Sequence, residues 1–295
     1  MRTVSIVGAG RVGGALALSL PRDKYRVENL VINENSPADE VVSALEPTTS
    51  VTRLDNIESI SSDIVLVTTQ DGCIREAATA VGLKIKHAAT IFHTSGACDS
   101  TIFSDLAEMG HSTGSMHPLV SISLAMLGPE RFRGAFFCVE GDANAVGLGK
   151  SIASDLGGRP FTIETRFKIL YHAAAVTACG HLVALFDASV EMMTKCGLTD
   201  VQAKEILMPL VLSTVKNLDE QDTAAALTGT FARADIETFT RHLTALNENV
   251  SDSLLEIYLL LGERSLELAA RQGVSSDRID RLRTKVSVAK SKLKW

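Results

Sequence analysis

The 295-residue chain has little of what marks a metalloprotein, a secreted disulfide scaffold or a nucleic-acid binder. Its five cysteines (Cys73, Cys98, Cys138, Cys179, Cys196) form no CxxC pair and show no metal-ligand spacing. An odd, scattered set reads as reduced, mostly buried thiols in a cytosolic protein. No HExxH and no carboxylate cluster is present, so metal catalysis has no support. The formal net charge is −6, which builds no basic field for nucleic acid or an anionic membrane surface. Positive charge concentrates only at the C-terminal end (Arg278, Arg281, Arg283, Lys285, Lys290, Lys292, Lys294), where it reads as a solvated helix face. No signal peptide is expected: Met1-Arg2-Thr3 runs straight into an apolar strand, and glycines follow where an apolar leader would continue. No internal repeat or low-complexity linker is visible. One strongly apolar run, 169–186, contains His172, Gly180 and His181 between Lys168 and Asp187. Histidines are costly inside a bilayer, so this run is expected to be a buried core helix and no membrane partner is expected.

Apolar residues make up 45% and charged residues 22%, the balance of a globular protein of about two domains. Short β-branched runs at 3–8, 26–33, 64–69, 90–93 and 135–140 read as strands with helical stretches between most of them. That alternation implies right-handed crossovers and a mostly parallel, doubly wound sheet. Beyond about residue 165 only helices are expected: a long one over 165–196 closed by Gly197, then 199–217, 220–227, 235–248, 251–272 and 275–293. Asp235 and Ser251 are expected N-caps and Gly273 a C-cap. The expected plan is therefore α/β, a Rossmann domain over 1–164 followed by an all-α domain over 165–295.

The central signal is Val7-Gly8-Ala9-Gly10-Arg11-Val12-Gly13-Gly14, a GxGxxG turn that follows a strand and opens a helix. Gly8 allows the tight turn, Gly10 lets the backbone approach a pyrophosphate, and Gly13 lets the helix pack against the sheet. The helix N-terminus then offers free N–H groups to phosphate. In this context the turn predicts dinucleotide binding, with Ala9, Arg11 and Val12 in the same cradle. The end of the second strand carries Asn33 where NAD sites usually have an acid, with Glu34 next. An amide and the nearby Arg11 suit a 2′-phosphate, so NADP is expected; NAD follows instead if Glu34 faces the ribose. Thr68, Thr69 and Gln70 end one strand and His93, Thr94, Ser95 and Gly96 end the next, where an open sheet binds ligands. Thr68 and Thr69 read equally well as strand filling.

Several segments resemble a bacterial family of Rossmann-like proteins with an appended helical domain, the DUF2520 family. They are the glycine turn, His93-Thr94-Ser95-Gly96-Ala97, Gly114-Ser115-Met116-His117-Pro118-Leu119, Tyr171-His172-Ala173-Ala174-Ala175 and Leu227-Thr228-Gly229-Thr230-Phe231-Ala232-Arg233. The group is related to F420-dependent NADP reductases, pyrroline-5-carboxylate reductases and 6-phosphogluconate-dehydrogenase-like enzymes. This chain departs from the pattern at Gly229-Thr230, where a Gly-Pro pair is expected, and at Gly180, where the long helix would carry Asn. The resemblance implies a reductase of a small carbonyl or imine compound, ketopantoate among the candidates, and a homodimer built on the helical domain.

Hydride transfer to a carbonyl calls for a proton donor or a cation near the developing alkoxide. Lys168 and His172 lie four apart at the start of the long helix and share one face, where related dehydrogenases carry Lys-x-x-x-Asn. Lys168 would donate or stabilise and His172 orient or relay; the plain alternative is a surface lysine and an interdomain histidine. His117, expected in a short turn before Pro118, resembles the His-Pro segment of prephenate dehydrogenases. It reads as an acid–base group or as a loop brace. His93 and Ser95 would touch substrate or nicotinamide. Arg233, in a loop between helices, would bind a carboxylate or form an interhelical salt bridge. His87, His111 and His242 read as structural. The leading expectation is an NADPH-dependent reductase of a small oxo acid or imine with its site between the domains. The other readings are a dinucleotide-binding regulator without turnover and an F420-linked oxidoreductase, the latter without a basic run near the site to support it.

Overall fold

The computed structural model describes residues 1–32 and 39–293. By internal packing the chain divides into two units, Met1–Cys179 and Gly180–Trp295.

The first unit is built on one eight-stranded sheet. In chain order it runs β1 (Arg2–Val7), α1 (Arg11–Ser19), β2 (Tyr25–Ile32), α2 (Asp39–Ala44), β3 (Ser50–Arg53), β4 (Ile64–Val67), α3 (Ile74–Gly82), β5 (Thr90–His93), α4 (Ser104–Glu108), β6 (Ser112–Leu119), α5 (Gly128–Phe132), β7 (Phe136–Gly141), α6 (Ala143–Asp155) and β8 (Arg159–Thr162). The spatial order is β3-β2-β1-β4-β5-β6-β7-β8. All neighbours pair parallel except β6 with β7. This is the doubly wound Rossmann-like sheet that the strand–helix alternation predicts, with its switch point between β1 and β4. Strand β4 is buried along its whole length, because helices cover both faces of a parallel sheet. Ile6, Leu16, Leu66, Phe92 and Phe137 pack on one face, and Val7, Val67, Ala77, Val81 and Phe103 on the other.

The structure corrects the reading of His117. It lies inside β6, not in a turn, paired with Cys138 of antiparallel β7. Pro118 suggested the turn because proline cannot donate to a sheet ladder. However, β5 pairs with β6 only as far as Ser115, so the half of β6 that holds Pro118 has β7 as its sole neighbour. Strands β3 and β8 lie at the two edges of the sheet with no buried residue, so neither carries the apolar run that marks the inner strands in the sequence.

A 3-10 turn, Thr165–Phe167, leads into α7 (Lys168–Lys195), and the division between the units falls inside this helix. The expectation that α7 is a buried core helix does not hold. Only Lys168 and Ala188 of its residues are buried, while Ile169, Leu170, Val183 and Leu185 are among those exposed. Its apolar residues go all round the axis rather than forming one stripe, so one chain leaves part of them uncovered. By length and composition, Thr165–Lys195 is long and apolar enough to cross a membrane, with a mean hydropathy of 1.7 over its most apolar window.

The second unit continues with α8 (Asp200–Glu220), α9 (Gly229–Ala232), α10 (Ile236–Asn249), α11 (Asp252–Arg271) and α12 (Ser276–Lys290); beyond Thr162 no strand occurs among the described residues. Asp235 and Ser251 cap α10 and α11 as expected, each accepting a backbone N–H from three residues on. The expected helix over 220–227 is absent. There the Asp222 carboxylate accepts the N–H groups of Ala224 and Ala225 and closes a turn instead. The core of this unit gathers Phe239, Leu246, Leu259, Leu266, Leu282 and Val286.

Candidate functional site

The glycine turn forms a cradle. Gly8 has φ +107°, a conformation that favours glycine. A Cβ on Gly13 would stand 1.9 Å from the Gly8 carbonyl oxygen and 2.3 Å from Thr68 Oγ1, so α1 reaches this close to the strand only without one. Around Gly10 a Cβ would meet nothing within 4 Å, so the backbone is open to an approaching group. No side chain caps α1 and its first turn holds no acid, which leaves the helix end electropositive. Thr68 braces this turn: its hydroxyl donates to the Gly8 carbonyl at 2.6 Å. Thr69 differs, since its buried Oγ1 has no partner. It lines a cavity of about 200 Å³ together with Gly8, Val31, Ile32, Leu54 and Glu76. The glycine cradle, the uncapped helix and this cavity with its orphan hydroxyl fit a dinucleotide. Ala9 is buried beneath the turn, Val12 packs against the core, and Arg11 is exposed at the start of α1. Asn33 and Glu34 lie outside the described residues.

Along the same edge, two strands further, stand the carboxyl ends of β5 and β6. His93 is fully buried and both ring nitrogens are used. Its Nδ1 accepts the Ser95 N–H at 3.2 Å, so Nε2 carries the proton and donates to the Asp99 carbonyl at 3.1 Å. Burial pushes its pKa down to about 4. Ser95 Oγ accepts the N–H groups of Ala97 and Cys98. Both side chains brace the turn after β5, because a loop at a strand end must satisfy its own backbone groups first.

Lys168, at the first turn of α7, is fully buried and donates to Ser115 Oγ at 2.8 Å; Ser115 in turn donates to the Ser95 carbonyl at 3.4 Å. Burial lowers the Lys168 pKa, and the charge of Glu140 is among those opposing that shift. Glu140, also buried, is the penultimate residue of β7. Its carboxylate accepts the Ser100 N–H at 2.9 Å, the Ser100 hydroxyl at 2.8 Å and the Thr165 hydroxyl at 3.0 Å. It thus ties β7 to the turn that precedes Lys168. Sequence reasoning missed Glu140; the available signal was a lone acid closing the apolar strand Phe-Phe-Cys-Val-Glu.

His117 and His172 are brought together, with ring centroids 6.0 Å apart and edge to face. His117 Nδ1 lies 2.7 Å from the Tyr171 hydroxyl. Burial, with the nearby Lys168 cation, pushes the His117 pKa down to about 3. His172 Nδ1 is buried and has no hydrogen-bond partner. Both imidazoles crowd Gly96: a Cβ there would be 2.3 Å from His172 Nδ1 and 2.9 Å from His117 Nε2. Tyr171 was missed because a tyrosine beside a histidine on a helix carries no sequence sign of its partner on a strand. Arg233 is exposed in the second unit, at the end of α9 and beside Ala234, whose φ is +45°. No group of three or more metal-ligating side chains occurs among the described residues.

Residues 1–118 match the model of the Rossmann-like domain, and residues 135–265 match the domain of unknown function DUF2520. A search of curated proteins gives no match. Among solved structures the chain is similar to a Bacteroides fragilis protein proposed to be an NADP oxidoreductase, at 21% identity and TM-score 0.71, covering 90% of this chain and 98% of that one. It is similar to a protein from Thermotoga maritima at 23% identity and TM-score 0.70, covering 91% and 99%. It also resembles a reductive aminase from Aspergillus terreus solved with NADPH and ethyl levulinate, at 13% identity and TM-score 0.56, covering 99% and 94%. The chain thus joins a Rossmann-like domain to a DUF2520 domain.

Proposed function

We propose that this protein is an NADPH-dependent reductase of a small oxo acid, of the ketopantoate type, or of an imine. One observation carries the reading. The glycine cradle at β1 and the buried polar cluster at β5 and β6 lie along one edge of one sheet, in the strand order β1-β4-β5-β6. Neighbouring strands stand about 4.8 Å apart, so along that edge β5 lies roughly 10 Å and β6 roughly 14 Å from the cradle. An extended dinucleotide with its pyrophosphate at Gly10 would run towards His117.

When bound, the dinucleotide would supply hydride to the substrate carbon. The chain's own residues then handle the charge left on oxygen. Lys168 holds a positive charge in a water-poor place, where it acts most strongly on a developing alkoxide. His117 and His172 flank the point beside Gly96, and Arg233 is proposed as partner of a substrate carboxylate. NADP over NAD rests on Asn33 in the sequence and on Arg11 at the start of α1. The A. terreus reductive aminase, which shares this fold, was solved with NADPH.

The exposed apolar residues of α7 and α8 (Val201, Ile206, Leu210 and Leu212 on the latter) are proposed to pack against a second copy, giving a homodimer built on the helical region. Five free thiols suit a reducing, cytoplasmic setting.

The first test is a fluorescence titration with NADPH and NADH. Tight binding of NADPH alone supports the proposal, binding of NADH alone reverses the cofactor preference, and binding of neither removes the reading. A second reading, a dinucleotide-binding regulator without turnover, is favoured by the complete burial of Lys168. Unchanged function in Lys168→Ala plus His172→Ala, with NADPH binding retained, would select it.

A further inference from the structure

We infer that Tyr171 is a positioning residue that holds His117 as a neutral imidazole with its proton on Nε2, so that the site offers an N–H donor beside Gly96 to a substrate carbonyl oxygen. The use of this donor rests on the reductase reading; the geometry does not.

At 2.7 Å either partner of the Tyr171–His117 bond could donate. The direction follows from what else surrounds the phenol. Burial holds the Tyr171 hydroxyl protonated, and that hydroxyl also meets the thiol of Cys138 on β7. Burial keeps Cys138 protonated too. A ring nitrogen is a strong acceptor and a sulfur a weak one. The tyrosine proton therefore goes to His117 Nδ1 in preference to the sulfur. An imidazole that accepts at Nδ1 and carries no net charge has its proton on Nε2.

Neutrality follows from what faces the ring. Phenol and thiol are uncharged, and no carboxylate is among the groups that shift His117; Lys168, His172 and His93 all oppose a further positive charge. His117 is thus unsuited to act as an imidazolium acid near neutral pH.

The Nε2–H direction points to a ligand by a second observation. His117 Nε2 and the buried, unpartnered His172 Nδ1 converge on the same point, kept open because residue 96 is glycine. A buried ring nitrogen without a partner is costly unless a bound group completes it.

The test is spectroscopic and needs no known substrate. Full-length protein labelled with 15N-histidine gives side-chain long-range 1H–15N correlations for its seven histidines at pH 7. His117 is assigned by the signal lost in His117→Gln. The expected result is a bare Nδ1 and a protonated Nε2. In Tyr171→Phe the His117 nitrogens should shift towards the averaged values of a free imidazole, with the other six unchanged. A wild-type proton on Nδ1, or an unmoved His117 in Tyr171→Phe, overturns the inference. Should Tyr171→Phe fail to fold, the wild-type spectrum decides alone. NADPH titration of the same sample reports separately on the reductase reading, so loss of one leaves the other standing.

Discussion

Two glycines in one turn should respond oppositely to the same added methyl group. In Gly13→Ala the Cβ would sit 1.9 Å from the Gly8 carbonyl oxygen, a backbone atom that cannot rotate away. Helix α1 must then retreat from β1 by about 1.5 Å or more to reach ordinary contact. Overpacking of this kind costs about 1–3 kcal/mol. The Thr68–Gly8 hydrogen bond at 2.6 Å lies in the path of the same methyl, and losing it adds roughly 0.5–1.5 kcal/mol. Gly13→Ala should therefore lower the denaturation midpoint clearly and weaken NADPH binding as well. Gly10 presents the contrary case. Its φ is −69°, which alanine adopts freely, and its Cβ would meet nothing within 4 Å. Gly10→Ala should leave stability unchanged or raise it by up to about 1 kcal/mol through the unfolded chain. Yet it should weaken NADPH by about tenfold or more, because the methyl stands where a pyrophosphate would approach the backbone. Urea unfolding followed by circular dichroism and NADPH fluorescence titration read the two effects separately. Wild-type NADPH affinity in Gly10→Ala would refute the placement of phosphate at this turn. Wild-type stability in Gly13→Ala would refute the packing argument.

Three further outcomes are expected. Glu140→Ala leaves the Ser100 N–H, the Ser100 hydroxyl and the Thr165 hydroxyl without their acceptor; at about 1–3 kcal/mol per buried unsatisfied group, a large loss of unfolding free energy should appear in urea titration. His93 should make stability pH-dependent: its pKa is about 4 folded against an ordinary 6.5, so between those values the unfolded chain binds the extra proton. Its contribution is thus complete above about pH 6.5, falls by about 1.4 kcal/mol per pH unit as the solution is acidified, and is exhausted below about pH 4. His93→Gln, which keeps an amide donor and acceptor but cannot titrate, should flatten that part of the profile. Lys168→Met should cut turnover of the reductase substrate about a hundredfold or more while leaving the NADPH Kd unchanged, a split that steady-state NADPH oxidation and titration can verify.

The exposure of α7 has its own consequence. A helix apolar on all sides and left uncovered by its own chain is an aggregation risk unless a second surface meets it. Light scattering on the purified protein should therefore report a dimer; a stable monomer would oppose the pairing proposed for α7 and α8.

The sequence by itself determined the parts of this protein whose physics is local. The GxGxxG turn after a β-branched strand could be read because only glycine tolerates the φ of Gly8 and the closeness at Gly13, so those constraints are written as residue identities. The caps Asp235 and Ser251 were legible for the same reason, since each bonds a backbone group three residues away. Lys168 and His172 could be grouped because helical spacing places them on one face. What depends on distant partners could not be read. Pro118 looked like a turn residue, and only the end of β5 at Ser115 shows why β6 tolerates it. The apolar run of α7 looked like core, and only the fold shows that its own chain does not cover it. The bracing of the turn after β5 by His93 and Ser95 shows only once their backbone partners are in place. The Tyr171–His117 bond joins residues 54 apart in the chain, and Glu140 meets Ser100 across 40. Such pairs are decided by strand order and crossover, because a hydrogen bond depends on distance in space and the sequence records only distance along the chain.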